Sequence, residues 1–187
     1  MNLTEAISAR RAVRSFTARQ VDDAVVRSLL YAAVQAPSAM NRQPWLFSIV
    51  QDLPRLERYS DRAKTMLLSQ MAHDPKTKHY EETLRTDAFN IFYNAPTLVV
   101  IGVAERGAYT DADCWLAAEN LMLAACDAGL GSCCVGFAVG VLNTPEVKAE
   151  LQWPPAGAAI APLILGYPSE TPPAVARAEP RIVSWIR

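Results

Sequence analysis

Ala36-Pro37-Ser38-Ala39-Met40-Asn41-Arg42-Gln43-Pro44-Trp45 is the most telling stretch of this 187-residue chain. Ser38, Asn41 and Gln43 set short hydrogen-bonding side chains at close spacing, between prolines that restrict the backbone. Such a loop presents fixed donors and acceptors to a polar heterocycle or a sugar-like chain; the same composition also makes an Asx or Ser turn leading into a strand. The density of rigid, polar and aromatic residues favours the binding loop.

Working outward, Leu46–Val50 reads as a strand, and a helix follows from about Pro54. On the other side, Val25, Val26, Leu29, Leu30 and Val34 lie along one helical face, with Asp22 or Asp23 as cap and Pro37 as stop. Asn2–Ser8 is a short helix. The stretch from Asp61 to Tyr93 is helical in pattern, rich in charge and Met, with a break at Asp74–Pro75. Thr97–Val103 is a β-branched run suited to a buried strand. Asp111–Asp127 is the clearest helix, closed by Gly129. Ser132–Phe137 and Ala159–Leu165 read as further strands. Helices alternating with strands through Pro-rich connections make a layered fold, α/β or α+β. After Pro168 the prolines at 172, 173 and 180 give an extended arm, and Ile182–Ile186 has the alternation of an edge strand. The arm carries Trp185 with nothing after it to cover it, so it either folds back on its own body or exchanges with a second subunit.

Composition bounds the rest. One domain spans residues 1–187, with 51% hydrophobic and 20% charged residues. A formal net charge of −1 with mixed signs gives no electrostatic footprint for nucleic acid or an anionic membrane. The apolar stretches around Pro96–Val103 and Ala156–Leu165 are too short to span a bilayer, and the Met1–Arg11 pattern is an amphipathic helix rather than a secretory signal. Cys114, Cys126, Cys133 and Cys134 have the spacing of neither a C-x-x-C pair nor a secreted scaffold, so a reduced, cytoplasmic setting is expected.

Two more elements carry chemistry. Arg10, Arg11 and Arg14 put three guanidinium groups where the first helix ends, which reads as a phosphomonoester clamp or as a solvated basic helix end. In Ala128-Gly-Leu-Gly-Ser-Cys-Cys-Val-Gly-Phe137, glycines at 129, 131 and 136 permit close backbone approach to a ligand. A helix C-cap accounts for Gly129 and leaves Gly136 unexplained. The run follows a helix and leads into a strand, which excludes a Rossmann dinucleotide loop.

In order and spacing, these three elements resemble the FMN-dependent nitroreductase superfamily, particularly its short bacterial members, from end to end. The R-R-S-x-R pattern appears as Arg10–Arg14 with Ala12 in place of the serine. The A-P-S-x-x-N-x-Q-P-W loop is complete at Ala36–Trp45. G-L-G-S-C-x-x-G-F matches Gly129–Phe137, and L-G-Y-P matches Leu165–Pro168. The resemblance implies an α+β three-layer α-β-α sandwich with a mixed, mainly antiparallel sheet, a homodimer, and a C-terminal arm (170–187) exchanged between subunits. It implies FMN held non-covalently, with Arg10, Arg11 and Arg177 on the phosphate and Arg14 near the pyrimidine edge of the ring. Ala12 would contribute its backbone N–H only, a loss of about 0.5–1.5 kcal/mol against the serine. Pro37, Ser38, Ala39 and Asn41 would come from the other subunit, and Gln43 of the same loop is counted among the cofactor-binding residues, with support of the loop itself as its alternative role. Cys134, Val135 and Gly136 would pass under the flavin face with a backbone N–H directed at N5 or O4. The implied activity is ping-pong transfer of a hydride from NAD(P)H to nitroaromatic, quinone or similar small acceptors, with no catalytic side chain because the cofactor carries the redox chemistry. The alternatives are another flavin chemistry on the same fold, a dehydrogenase or dehalogenase, and an FMN-binding sensor without enzymatic activity.

Three weaker candidates remain. Cys133-Cys134 reads as buried packing more readily than as a strained vicinal redox pair. His73 and His79 are too far apart to form a helical metal pair and lack acidic companions, so no metal is expected. Met66, Leu67, Met71, Phe89, Phe92 and Tyr93 form either a hydrophobic lid over the flavin or ordinary helix packing.

Overall fold

The computed structural model describes residues 1–71 and 80–187. Its elements in chain order are α1 (Leu3–Ala9), α2 (Asp23–Ala33), β1 (Trp45–Val50), α3 (Leu53–Met71), α4 (Glu81–Arg85), β2 (Thr97–Val103), α5 (Thr110–Asp127), β3 (Gly131–Cys134), α6 (Val139–Leu142), α7 (Pro145–Glu150) and β4 (Ala158–Gly166). Short 3-10 turns lie at Ala39–Asn41 and Gly136–Ala138. The strands form one antiparallel sheet in the order β1-β2-β4-β3. Parallel pairing is confined to an isolated bridge between Ala12 and Ser132.

The sheet is covered on both faces, which is why β2 reads as an unbroken apolar run. Val99, Ile101 and Val103 point to the layer of α2 and α5, while Leu98 and Val100 point to that of α3, α6 and α7. In β4 the alternation is interrupted. The register passes from Ile101 opposite Ala161 to Gly102 opposite Ala159, leaving Ile160 unmatched. That bulge puts Ala161 and Ile160 into the same core, while Ala159 enters the other. Tyr59 of α3 donates to Glu150 of α7 at 2.8 Å, tying the second layer together.

The expected α+β sandwich is present, and Thr97–Val103 forms as a strand with those bounds. Helix α1 starts with a capping box between Asn2 and Glu5. Asp22 occupies the N-cap position of α2, but its side chain makes no capping bond. Helix α5 ends as expected, with Gly129 at φ 73°. Two expectations fail. The helical pattern through Tyr93 stops at Arg85, and the chain turns from Thr86 onward, with Tyr93 and Asn94 both in the left-handed region. The strand expected over Ser132–Phe137 ends at Cys134. The reason lies in the partner strand: Val135 donates to the Pro162 carbonyl at 2.9 Å, but Pro162 has no N–H to return, so the ladder stops half-made.

Helix α5 is apolar nearly all round. Its inner face is fully buried at Cys114, Ala117, Ala118, Leu121 and Ala125, yet Trp115 and Leu116 are 43% and 46% exposed. Beyond Ser169, whose N–H donates to Ser15, the arm forms no regular element, and Ile182, Val183, Trp185 and Ile186 are exposed. No helix among the described residues is long and apolar enough to cross a membrane. His73, His79 and the break at Asp74–Pro75 lie outside the described residues.

Candidate functional site

Arg10 ends α1 in an extended conformation, φ −54° and ψ 132°, and this turns the next residues alongside β3. Val13 donates to the Ser132 carbonyl at 3.0 Å and buries its side chain against Gly131. A Cβ at Gly131 would sit 2.7 Å from the Val13 side chain, so the two segments meet this closely only because residue 131 is glycine. With Val13 inward, alternation sends Ala12 and Arg14 outward, and both are exposed.

Arg10 and Arg11 then line a cleft of about 520 Å³ with Cys126, Gly129, Ser132 and Thr171. The Arg10 guanidinium lies 3.5 Å from Glu119 of α5. Arg11 uses one nitrogen, Nη1, on the carbonyls of Ser8 (2.6 Å) and Arg10 (2.8 Å), leaving Nε and Nη2 as donors for an anion. Arg14 stands with its guanidinium carbon 5.7 Å from the centroid of the Tyr93 ring.

The thiols here are poor nucleophiles. Burial pushes Cys133 up, against the opposing pull of Arg14 and Arg10. Cys134 is pushed up to about 11, by burial of its thiol first and then by Cys133. Its Sγ lies 3.7 Å from Met122 Sδ. Cys133 is buried as expected for the pair, whereas Cys134 is exposed at the end of β3, which corrects the packing reading for that residue.

The loop Ala36–Trp45 is held differently. Ser38 Oγ accepts from the Gln43 backbone at 2.9 Å, and Asn41 Oδ1 accepts from Gln43 Nε2 at 2.9 Å. Gln43 thus spends its backbone N–H and its side-chain amide on the loop itself. Ser38 keeps its hydroxyl proton and Asn41 its amide donors for a ligand. Met40, Asn41 and Gln43 all have positive φ, 54°, 53° and 48°. Three strained non-glycine residues in one turn persist only where the surroundings dictate them, and such strain gathers at ligand sites.

Asp113 does the dictating. Its carboxylate accepts from Ala39 N–H at 2.9 Å, and its carbonyl accepts from the Trp45 indole at 2.9 Å. It is 4% exposed. Sequence reading missed it, because an acidic residue in the first turn of a helix reads as complementing the helix dipole. The one available signal was the indole of Trp45, which needs an acceptor when buried.

Of the residues named from sequence, the structure lays Arg10, Arg11, Ala12 and Arg14 along β3 through the Ala12–Ser132 bridge, with Arg10 and Arg14 near the Cys133 thiol and Arg10 near that of Cys134, from which the chain leads on to Val135 and Gly136. The loop residues Pro37, Ser38, Ala39, Asn41 and Gln43 sit at the first turn of α5, and Arg177 is exposed in the arm. Among the described residues no hydrogen bond or ion pair joins these to the arginines within one chain. Met66 reaches within 3.7 Å of where a Gly140 Cβ would lie, Leu67 packs in the same layer, and Met71 is buried in the core.

The donor set fits FMN. Two guanidinium groups with free N–H flank a cleft at the end of α1. At Gly136 a Cβ would meet nothing within 4 Å, so backbone there is open to a flat ring.

The family model described as the nitroreductase family matches residues 7–167. A nitroreductase from Bacteroides fragilis, crystallised with FMN, is 28% identical and superposes with a TM-score of 0.79 over 100% of this chain and 98% of its own. The NADH dehydrogenase of Thermus thermophilus is 26% identical over 86% of this chain and 84% of that protein. The iodotyrosine deiodinase of Thermotoga neapolitana is 28% identical over 91% of this chain and 90% of that protein. The chain belongs to the nitroreductase family, and its fold is that of the Bacteroides fragilis nitroreductase crystallised with FMN.

Proposed function

We propose that this protein is an FMN-dependent oxidoreductase that takes reducing equivalents from NAD(P)H and passes them to small oxidised acceptors, nitroaromatics or quinones among them. The observation that carries this reading is the Ala12–Ser132 bridge, which lays the arginine segment beside the Cys134–Gly136 exit from β3. When bound, FMN would supply the two-electron redox chemistry that links nicotinamide to acceptor. Arg10 and Arg11 hold its phosphate by charge-assisted bonds, with Arg177 joining from the arm. Arg14 faces the pyrimidine edge, where a cation favours the negative charge gained on reduction. Val135 spends its N–H on Pro162, which leaves the N–H groups of Cys134 and Gly136 as those that would serve as backbone donors to the flavin ring.

The assembly is a homodimer in a reducing cytoplasm. Pro37, Ser38, Ala39 and Asn41 reach the cofactor of the partner, and residues 170–187 pack on the partner's body. The exposed Trp115 and Leu116 of α5, with Leu3 and Ile7 of α1, provide apolar surface for that contact.

The test is anaerobic. Purified protein reconstituted with FMN should bleach near the flavin absorbance maximum on addition of NADH or NADPH, and recover on addition of a nitroaromatic or quinone. Bound flavin that neither nicotinamide reduces would refute the reductase and leave a binding protein. The similarity to a deiodinase over nine-tenths of the chain supports a second reading, reductive dehalogenation, which predicts halide release from an iodinated phenol by the reduced protein.

A further inference from the structure

Tyr93 has φ 53° and its neighbour Asn94 φ 54°. For a bulky aromatic residue this conformation is a strained outlier that persists only where the surroundings impose it. Here they do. Tyr93 N–H donates to Asn90 O at 2.8 Å, and Lys64 latches the preceding turn by donating to the carbonyls of Phe89 (3.0 Å) and Thr86 (3.3 Å). The Phe89 ring meets Tyr93 edge-on, with centroids 5.7 Å apart at 82°. Phe92 and Ile91 are fully buried, so the left-handed step at residue 93 is what turns one ring of this run out of the core. That ring, half-buried, offers a face to Arg14.

We propose that Tyr93 is a positioning residue, whose ring holds the Arg14 guanidinium at the pyrimidine edge of the cofactor. The inference rests on the FMN reading above. An exposed arginine on a flexible stem samples many rotamers, and in water its charge is strongly screened. Held over a ring it stays on one side of the Arg10–Arg14 segment, beside the exit from β3. A cation so fixed favours reduced over oxidised flavin, and a loose one favours it less. The contact is of the exposed, weak kind, so it tunes the cofactor rather than creating its site.

The test compares Tyr93→Asn, which removes the ring and tolerates the left-handed backbone, with Tyr93→Phe, which keeps the ring. In flavin-free protein, NMR of the Arg14 side chain should show a ring-current shift that Tyr93→Phe keeps and Tyr93→Asn abolishes. In FMN-bound protein, Tyr93→Asn should lower the preference for reduced over oxidised flavin two- to fivefold, about 10–20 mV for a two-electron couple. Tyr93→Phe should restore it, and Tyr93→Asn should add nothing in an Arg14→Ala background. Absence of the ring-current shift overturns the inference. So does a potential that Arg14→Ala moves and Tyr93→Asn does not, or a Tyr93→Asn effect that survives in Arg14→Ala. Failure of every variant and the parent to bind FMN would instead sink the flavin reading, while the NMR comparison still judges the Tyr93–Arg14 contact.

Discussion

The loop Ala36–Trp45, proposed to reach the partner's cofactor, and the arm 170–187, proposed to pack on the partner's body, are built in opposite ways. The loop is shaped within its own chain. Asp113, Ser38 and Asn41 fix its hydrogen bonds and hold three residues in a conformation that few side chains adopt. The arm has no regular structure and carries Ile182, Val183, Trp185 and Ile186 in the open. A preorganised ligand loop loses little entropy on binding, whereas the arm must gain all its order from the surface it meets. Damage to the loop should therefore be local and independent of protein concentration. Damage to the arm should scale with it.

The sharpest way to break this contrast is to delete residues from Thr171 onward. If Trp185 is buried on the partner, it alone is worth about 3 kcal/mol or more, so dimer affinity should fall more than a hundredfold by sedimentation. Arg177→Ala should leave assembly intact while weakening FMN; equal loss of dimer in both variants would show that the arm does not act through its apolar residues. Next in size, Arg10→Ala should raise the FMN dissociation constant by about one to two decades, the cost of a charge-assisted contact. Arg85→Ala, which only breaks a surface pair with Glu81, should bind FMN like the parent in fluorescence titration.

Asp113→Ala probes the loop. Leaving the Ala39 N–H without its acceptor in a buried setting should cost about 1–3 kcal/mol in chemical denaturation, with FMN affinity reduced alongside. The loss should be the same at every concentration above that at which the dimer forms, and a concentration-dependent loss would erase the distinction between loop and arm. The smallest effect belongs to Met40→Gly. Relieving one left-handed side chain should raise stability by about 0.5–1 kcal/mol, read as a small rise in Tm, while flavin affinity stays flat or drops. A fall in Tm would mean that the exposed Met40 side chain makes a contact in the dimer.

What could be read in advance was what repeats along the chain. The β-branched run of β2 and the apolar span of α5 announce themselves because burial on both faces, or nearly all round, leaves a continuous signal. The candidate ligand segments stood out because arginine clusters, paired prolines and spaced glycines are rare in combination. The end of β3 was not, since it is decided by Pro162, 27 residues further on in a strand whose register no local pattern reveals. Helices α6 and α7 are short and went unread for want of a full period. Asp113 and Tyr93 escaped for a related reason. Each acts across the fold, on residues 74 and 79 positions away, and each looks locally like something ordinary, a helix-start acid and a member of an aromatic stripe.

Pro162 has one further consequence. A strand normally ends where its own residues can no longer pair, but here the neighbour refuses the pairing, for want of a single proton on a ring nitrogen. Its backbone faces β3, so the β2–β4 ladder loses no bond, and only the continuation past Cys134 is denied. The sheet is in effect unzipped from one tooth. Any residue with an N–H at position 162 would offer the missing bond, so the point at which the chain leaves the sheet after Cys134 is written into the neighbouring strand rather than into its own.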